Sequence, residues 1–243
     1  MPRLTESFRR FEDRLDEIKH LQLIAAKYNH LRAIINDKDK AAHSNALVRS
    51  ATVLLSSHIQ GYIEDISDLI VRHLINDQVD SAALPDSLRF YATKSAISAI
   101  RETSDPEQIV NRIRHYSTNF AEVLFVGGAA TPRFAGTEYK DGLGNPTVEE
   151  IRKFFNRFGI KDYSGQMGKR LRNEWPIVEN AVNQIVDRRN KIAHGDTQAT
   201  LTVRELNDYV KLIRKFASAS DRVVTSHFTA KGCKFWAPNN AAS

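Results

Sequence analysis

Between Asp187 and Asp196 the chain reads DRRNKIAHGD. Two arginines, an asparagine and a histidine crowd into ten residues, and together these types suit chemistry on a phosphodiester. An imidazole, whose ordinary pKa is about 6.5, takes up or delivers a proton at neutral pH. A guanidinium grips phosphate oxygens through paired hydrogen bonds and offsets charge that builds on them in a transition state. RNA carries its own nucleophile in the 2′-OH, so such a pair needs no metal.

The same stretch closes a periodic helix. Pro176 suits a first helical position and Gly195 a position just past the last turn, which predicts a helix over Pro176–His194. Val178, Val182, Ile185, Arg189 and Ile192 fall at spacings of four and three, the seam expected to face another helix. Arg189 sits where an apolar residue is expected. A desolvated guanidinium is costly unless paired, although a snorkelling stem with its head in water answers the same observation. Asp187, Asn190 and His194 form a second stripe, on which Asn190 can hydrogen-bond the imidazole and orient it. His194 alone also reads as a C-terminal cap, because a helix C-terminus favours the cationic imidazole. Arg189 and His194 are five residues apart, about 140° around the helix axis. For the two to act together, the arginine must curl round or two copies of the helix must meet. The bare spacing recurs at Arg222 and His227, without the polar neighbour and the Gly-Asp exit.

The remaining elements read as helices. A long one is predicted over Thr5–Ile35, with Phe8, Phe11, Leu15, Ile18, Leu21 and Ala25 on one face. The stretch NDKDKAAHSN reads as a break. A second helix follows over Ala46–Asn76, with Leu47, Leu54, Ile59, Ile63, Ile66 and Ile70 apolar and Glu64 and Asp65 among its polar residues. A shorter helix is expected over Ser87–Glu102, and another after Asp105 as cap and Pro106. Residues 126–146 are glycine-rich and read as loop; they lack the GxxxxGK[ST] of a phosphate-cradling turn. A basic amphipathic helix then ends at Gly159, and KDYSGQMGKRLRNEWP reads as a connector. Thr202 and Glu205 have capping-box spacing, and the helix they open carries Leu206, Val210, Ile213 and Ala217 on one side. No strand set and no repeat emerge. The expectation is an all-α helical bundle in one domain over residues 1–243. It comprises a long N-terminal helical extension (1–45), a core (46–224) and a C-terminal tail (225–243) that the pattern does not place.

Composition excludes several classes. The 243 residues hold one cysteine, Cys233, so neither an internal disulfide nor a thiolate zinc cluster can form. The eight histidines are scattered and include no HxxxH pair, so no metal and no cofactor is expected. No apolar run nears the roughly eighteen residues of a membrane span. The N-terminus lacks the apolar core of a secretory signal, and a cytoplasmic location follows. The net charge is +6, and residues 151–191 alone hold ten Lys/Arg against four Asp/Glu. The whole excess can therefore sit in the segment that ends in DRRNKIAHGD, which suits an anionic partner such as nucleic acid.

Arg189-Asn190-Lys191-Ile192-Ala193-His194 resembles the signature of the HEPN superfamily: an arginine, a polar residue, three variable residues and a histidine. GNPTVEEIRKFFNRFGI before it and HGDTQATLTVRELNDYVKLIRKF after it resemble the RiboL-PSP-like and MAE-like branch, best over residues 144–224. The resemblance implies an all-helical bundle that forms a homodimer, with two signature helices facing each other and a joint cleft that cuts RNA without metal. It implies a role as a toxin or anti-phage defence effector, with an antitoxin or defence protein as partner. On this reading Arg189 and His194 are catalytic and Asn190 orients the histidine. Arg188 and Lys191 contact RNA phosphates, and Glu64 and Asp65 are positioned to approach the site. The alternative is a HEPN protein that does not cleave and serves as a nucleic-acid- or partner-binding module.

Overall fold

The computed structural model describes residues 4–35, 38–120, 123, 133–134 and 136–235. Among these the chain is all-helical, without strands. In order the helices are α1 (Glu6–Ile35), α2 (Lys38–Asn76), α3 (Asp86–Arg101), α4 (Pro106–Asn119), α5 (Val148–Arg157), α6 (Tyr163–Leu171), α7 (Trp175–Ala193) and α8 (Val203–Thr229). No helix among the described residues is long and apolar enough to cross a membrane.

The chain divides into two compact units, and the boundaries fall within α2, α5, α6 and α8 and in the loop before α5. The first unit comprises residues 1–66, 144–151 and 164–222. Its core joins Phe11, Leu15 and Ile18 of α1 to Leu55, Ile59 and Tyr62 of α2, with Val182 and Ile185 of α7 and Ile213 and Phe216 of α8. Phe11 and Tyr62 meet ring to ring at 5.4 Å, and the Tyr62 hydroxyl donates to the Ala217 carbonyl at 3.0 Å. A phenol can therefore be fully buried without an orphaned hydroxyl. Thr5 caps α1: its hydroxyl accepts from the Phe8 N–H at 3.2 Å. Its own N–H and hydroxyl both donate to the buried carboxyl of Asp221 on α8. Burial pushes the Asp221 carboxyl up to about 6, against the pull of the Thr5 hydrogen bonds.

The second unit comprises residues 67–143, 152–163 and 223–243. Its core is aromatic. Phe154, Phe155 and Phe158 of α5 recur at one and four residues, Tyr163 stacks on Phe155 at 5.0 Å, and Phe228 meets Phe158 edge-on. Arg89 is buried there, but its Nε and Nη2 donate to the carbonyls of Leu84 and Ser81 at 3.2 and 2.9 Å. Cys233 is buried too, and burial pushes its thiol up to about 12.

Several expectations need correction. The break expected over NDKDKAAHSN is mostly helix: α2 starts at Lys38, and only Asn36 and Asp37 lie outside the described residues. Two adjacent alanines favour helix there, and Ser44, buried, sends its hydroxyl to the Ala25 carbonyl at 3.0 Å. The connector before α7 contains α6 and a short 3-10 turn, because Tyr163 and Met167, four residues apart, are both buried. On α1 the buried stripe passes through Gln22 rather than Leu21, and on α2 through Val48 and Leu55 rather than Leu47 and Leu54. The tail that the pattern could not place begins as the last turn of α8, with Phe228 and Cys233 in the core. Of the glycine-rich stretch, residues 126–132 and 135 lie outside the described residues; the rest contains no α-helix. Residues 236–243 also lie outside them.

Candidate functional site

Helix α7 is fixed from both ends. Pro176 stands in its first turn. At the other end Gly195 adopts φ +85°, the left-handed conformation that glycine takes without a Cβ clash. The Gly195 N–H then reaches the Ile192 carbonyl at 3.1 Å and the Asp196 N–H reaches the Lys191 carbonyl at 3.0 Å. These two bonds make a Schellman motif and satisfy the carbonyls that the helix end would leave open. His194 is the C-cap residue inside that motif, its N–H on the Asn190 carbonyl at 3.0 Å.

Val178, Val182 and Ile185 are buried, as the seam requires. The seam opens at its end, where Arg189 and Ile192 are half-buried and Asn190, Lys191 and His194 are exposed. Arg189 keeps its Nε buried, and its Nη1 donates to the Asn190 Oδ1 at 3.2 Å. The structure thus joins Asn190 to Arg189; the expected side-chain bond from Asn190 to the His194 imidazole is not formed. Arg188 donates from Nη1 to the Thr200 carbonyl at 2.9 Å, which ties α7 to the loop leading into α8. Lys191 pairs with Asp187 at 2.8 Å, one turn back, with both side chains more than half exposed. That geometry is worth little in water and yields readily to a phosphate. Of the two acidic residues expected nearby, Asp65 is held by Arg14 of α1 at 2.8 Å and Glu64 accepts from Gln60 at 2.8 Å.

Residues that sequence reasoning passed over hold the frame. Arg49 of α2 donates to the carbonyls of Asp196 and Ala199 at 2.6 and 3.0 Å, anchoring the loop behind His194. Nothing in the local pattern marks it, because its partners lie about 150 residues away in the chain. Asn183 of α7 accepts the Val148 N–H at 2.9 Å and so caps α5. Thr147 and Glu150 form a reciprocal capping box on α5, with the same spacing that identified Thr202 and Glu205. In the latter box the Thr202 N–H and hydroxyl hold the Glu205 carboxyl below its usual value. A cleft of about 380 Å³ lies beside the signature, between the face of α7 that carries Gln184, Asp187 and Lys191 and the loop that carries Asp196 and Gln198. Among the described residues no three His, Cys, Asp or Glu side chains gather as a metal site.

The decoy pair is built differently. His227 is half-buried in α8, and burial with the nearby Lys231 ammonium lowers its pKa. It lies half-buried in the last turn of α8, whereas His194 is the exposed C-cap residue just past the last turn of α7.

An all-helical chain with Arg-Asn-x3-His closing an exposed helix end has the form of a HEPN protein. The RiboL-PSP-HEPN family model matches residues 9–226, most of the chain, and the chain belongs to that family. The match begins within α1 and ends within α8. No curated protein and no solved structure matches the chain.

Proposed function

We propose that the protein is a metal-independent endoribonuclease whose working site is shared between two copies of α7. One observation carries the reading: Arg189 and His194 keep the family signature at the open end of a rigid, Schellman-capped helix. The imidazole acts as general base toward the 2′-OH or as general acid toward the leaving 5′-oxygen. Arg189, propped by Asn190, binds the scissile phosphate and offsets the charge of the pentacoordinate state. Arg188 and Lys191 add contacts to flanking phosphates. A two-fold axis would bring the two residues, about 140° apart on one helix, into a common groove with their partner copies. A role as a toxin or anti-phage effector in the cytoplasm, restrained by an antitoxin or defence protein, is consistent with such an activity. The bond from Arg188 to Thr200 and the Lys191–Asp187 pair also suit a second reading, a HEPN module that binds RNA without cutting it.

The experiment is incubation of purified protein with a structured RNA, alongside light scattering of the same sample. A dimer that cuts RNA supports the composite site. A monomer at micromolar concentration that retains full activity removes it, and RNA bound but left intact selects the binding module.

A further inference from the structure

A second cleft, of about 360 Å³, lies in the first unit at the far end of α7 from the signature. Glu174, which lines it, precedes His194 by twenty residues, about 30 Å along the helix. Arg214, Ser218 and Arg222 recur every four residues and run as one stripe of α8 along the cleft, with Lys215 beside them. Arg170, in the last turn of α6, joins this group: its Nη2 donates to the Arg222 carbonyl at 3.1 Å and ties α6 to the stripe. Four cations therefore line a small space against one carboxylate, that of Glu174. Much of the remaining lining is apolar, with the buried Phe8 of α1 joined by Leu4 and Leu171.

The carboxylates that reach this group hold it loosely. Lys215 pairs with Glu174 at 2.5 Å, both side chains about half exposed, and the exposed Arg214 pairs with Glu12 of α1. Exposed pairs of this kind contribute little, and an anion of higher charge displaces them. Three of the four cations are arginines, whose planar forks match pairs of phosphate oxygens, and the lysine adds a point charge. A phosphate group carries more charge and more acceptor oxygens than a carboxylate, so one such group engages several of the four together. The apolar lining beside them suits a ring attached to that phosphate. We infer that this cleft is a second anion site, separate from the signature, that binds the phosphate of a nucleotide, either free or within an RNA strand. The inference does not rest on cleavage, because binding here needs neither Arg189 nor His194.

Titration calorimetry of the full-length His194→Ala protein tests it, with adenosine 5′-monophosphate, adenosine and a short oligouridine as probes, since nothing is consumed during the measurement. Adding Arg214→Gln and Lys215→Gln together should weaken the site's phosphate ligand about ten-fold or more, the effect of losing hydrogen bonds to charged groups. Lys19→Gln with Lys27→Gln removes the same charge from exposed positions of α1 that do not line the cleft, and should leave binding unchanged. Arg170→Gln should act in the same direction as the first pair, and it carries the test if that pair does not fold by circular dichroism. Weakening of the monophosphate alone assigns the site to a free nucleotide. Weakening of oligouridine as well, or of oligouridine alone, with a flatter salt dependence, assigns it to an RNA strand. Affinities for both phosphate probes that are unmoved by these variants, or moved no more than by the α1 control, overturn the site. Adenosine binding as tightly as its monophosphate overturns a free-nucleotide assignment, because the phosphate then contributes nothing. A wild type that cuts no RNA, with phosphate binding lost in the cleft variants, refutes the nuclease reading and leaves this site standing. A wild type that cuts RNA while both probes ignore the cleft variants does the reverse.

Discussion

Gly195→Ala is the change that most directly separates the turn behind His194 from the histidine itself. Gly195 sits at φ +85°, where a residue with a Cβ costs about 1–2 kcal/mol. A Cβ built there meets no atom within 4 Å, so the cost is conformational and not a collision with a neighbour. Alanine also narrows the unfolded ensemble, which offsets about 0.4–1 kcal/mol. The net loss is about 1 kcal/mol, or about 2–4 °C of melting temperature for a chain of this size. Gly144 is the control: a Cβ there also meets nothing within 4 Å, and its φ lies outside the left-handed region. Gly144→Ala should leave the melting temperature unchanged or raise it slightly. Activity should fall further than stability in Gly195→Ala, because the Lys191 and Ile192 carbonyls lose their partners and the turn that holds His194 frays. Gly195→Asn, which tolerates the left-handed region better, should fall between alanine and wild type. Thermal melts and cleavage of one RNA by all four proteins make the comparison. A Gly195→Ala protein that melts and cuts like wild type would show that the Schellman turn does not position His194.

Four further outcomes are expected. His194→Ala should lose cleavage by about a hundred- to ten-thousand-fold while the exposed cap costs only about 0.3–1 kcal/mol; His227→Ala should cut at a rate near wild type, and equal rates for His194→Ala and wild type on one RNA would remove the catalytic assignment. Cleavage should survive EDTA and leave a 2′,3′-cyclic phosphate; loss on chelation with rescue by Mg²⁺ would point to another nuclease class. Asp221 has a folded-state pKa raised from its ordinary value of 3.8 to about 6, so its contribution to stability is greatest below pH 4, is lost as pH rises to about 6, and is constant above that. Urea titrations should show wild type losing up to about 3 kcal/mol relative to Asp221→Asn across that window, and parallel curves would contradict the assignment. The wild type should elute and scatter light as a dimer at micromolar concentration, with Arg189→Ala and His194→Ala subunits complementing neither each other nor themselves if the two residues act only within one chain, and restoring partial activity when mixed if the site is shared.

Much of this protein is written locally. Helix ends are short-range chemistry, so Asp105 and Pro106, Thr202 and Glu205, and Gly159 and Gly195 could be read directly, and the structure finds each in its expected role. The seam of α7 was legible for the same reason, since Val178, Val182 and Ile185 follow the helical period. The signature itself needs only spacing, and the family match over residues 9–226 agrees with it. What local pattern could not supply is which of two adjacent residues faces inward once a long helix meets its neighbours. Gln22 is buried beside a half-exposed Leu21, because the neighbouring helices, and not hydrophobicity, set the rotation of α1. Tertiary packing likewise made α6 a helix, through the burial of Tyr163 and Met167, despite two glycines that weaken its intrinsic propensity. The partners of the site were decided at the same level. Arg49 reaches the loop behind His194 across about 150 residues of chain, and Tyr209 reaches Gln184 across 25. A hydrogen bond between residues so far apart leaves no periodicity to read; only the folded chain determines that their donors and acceptors meet.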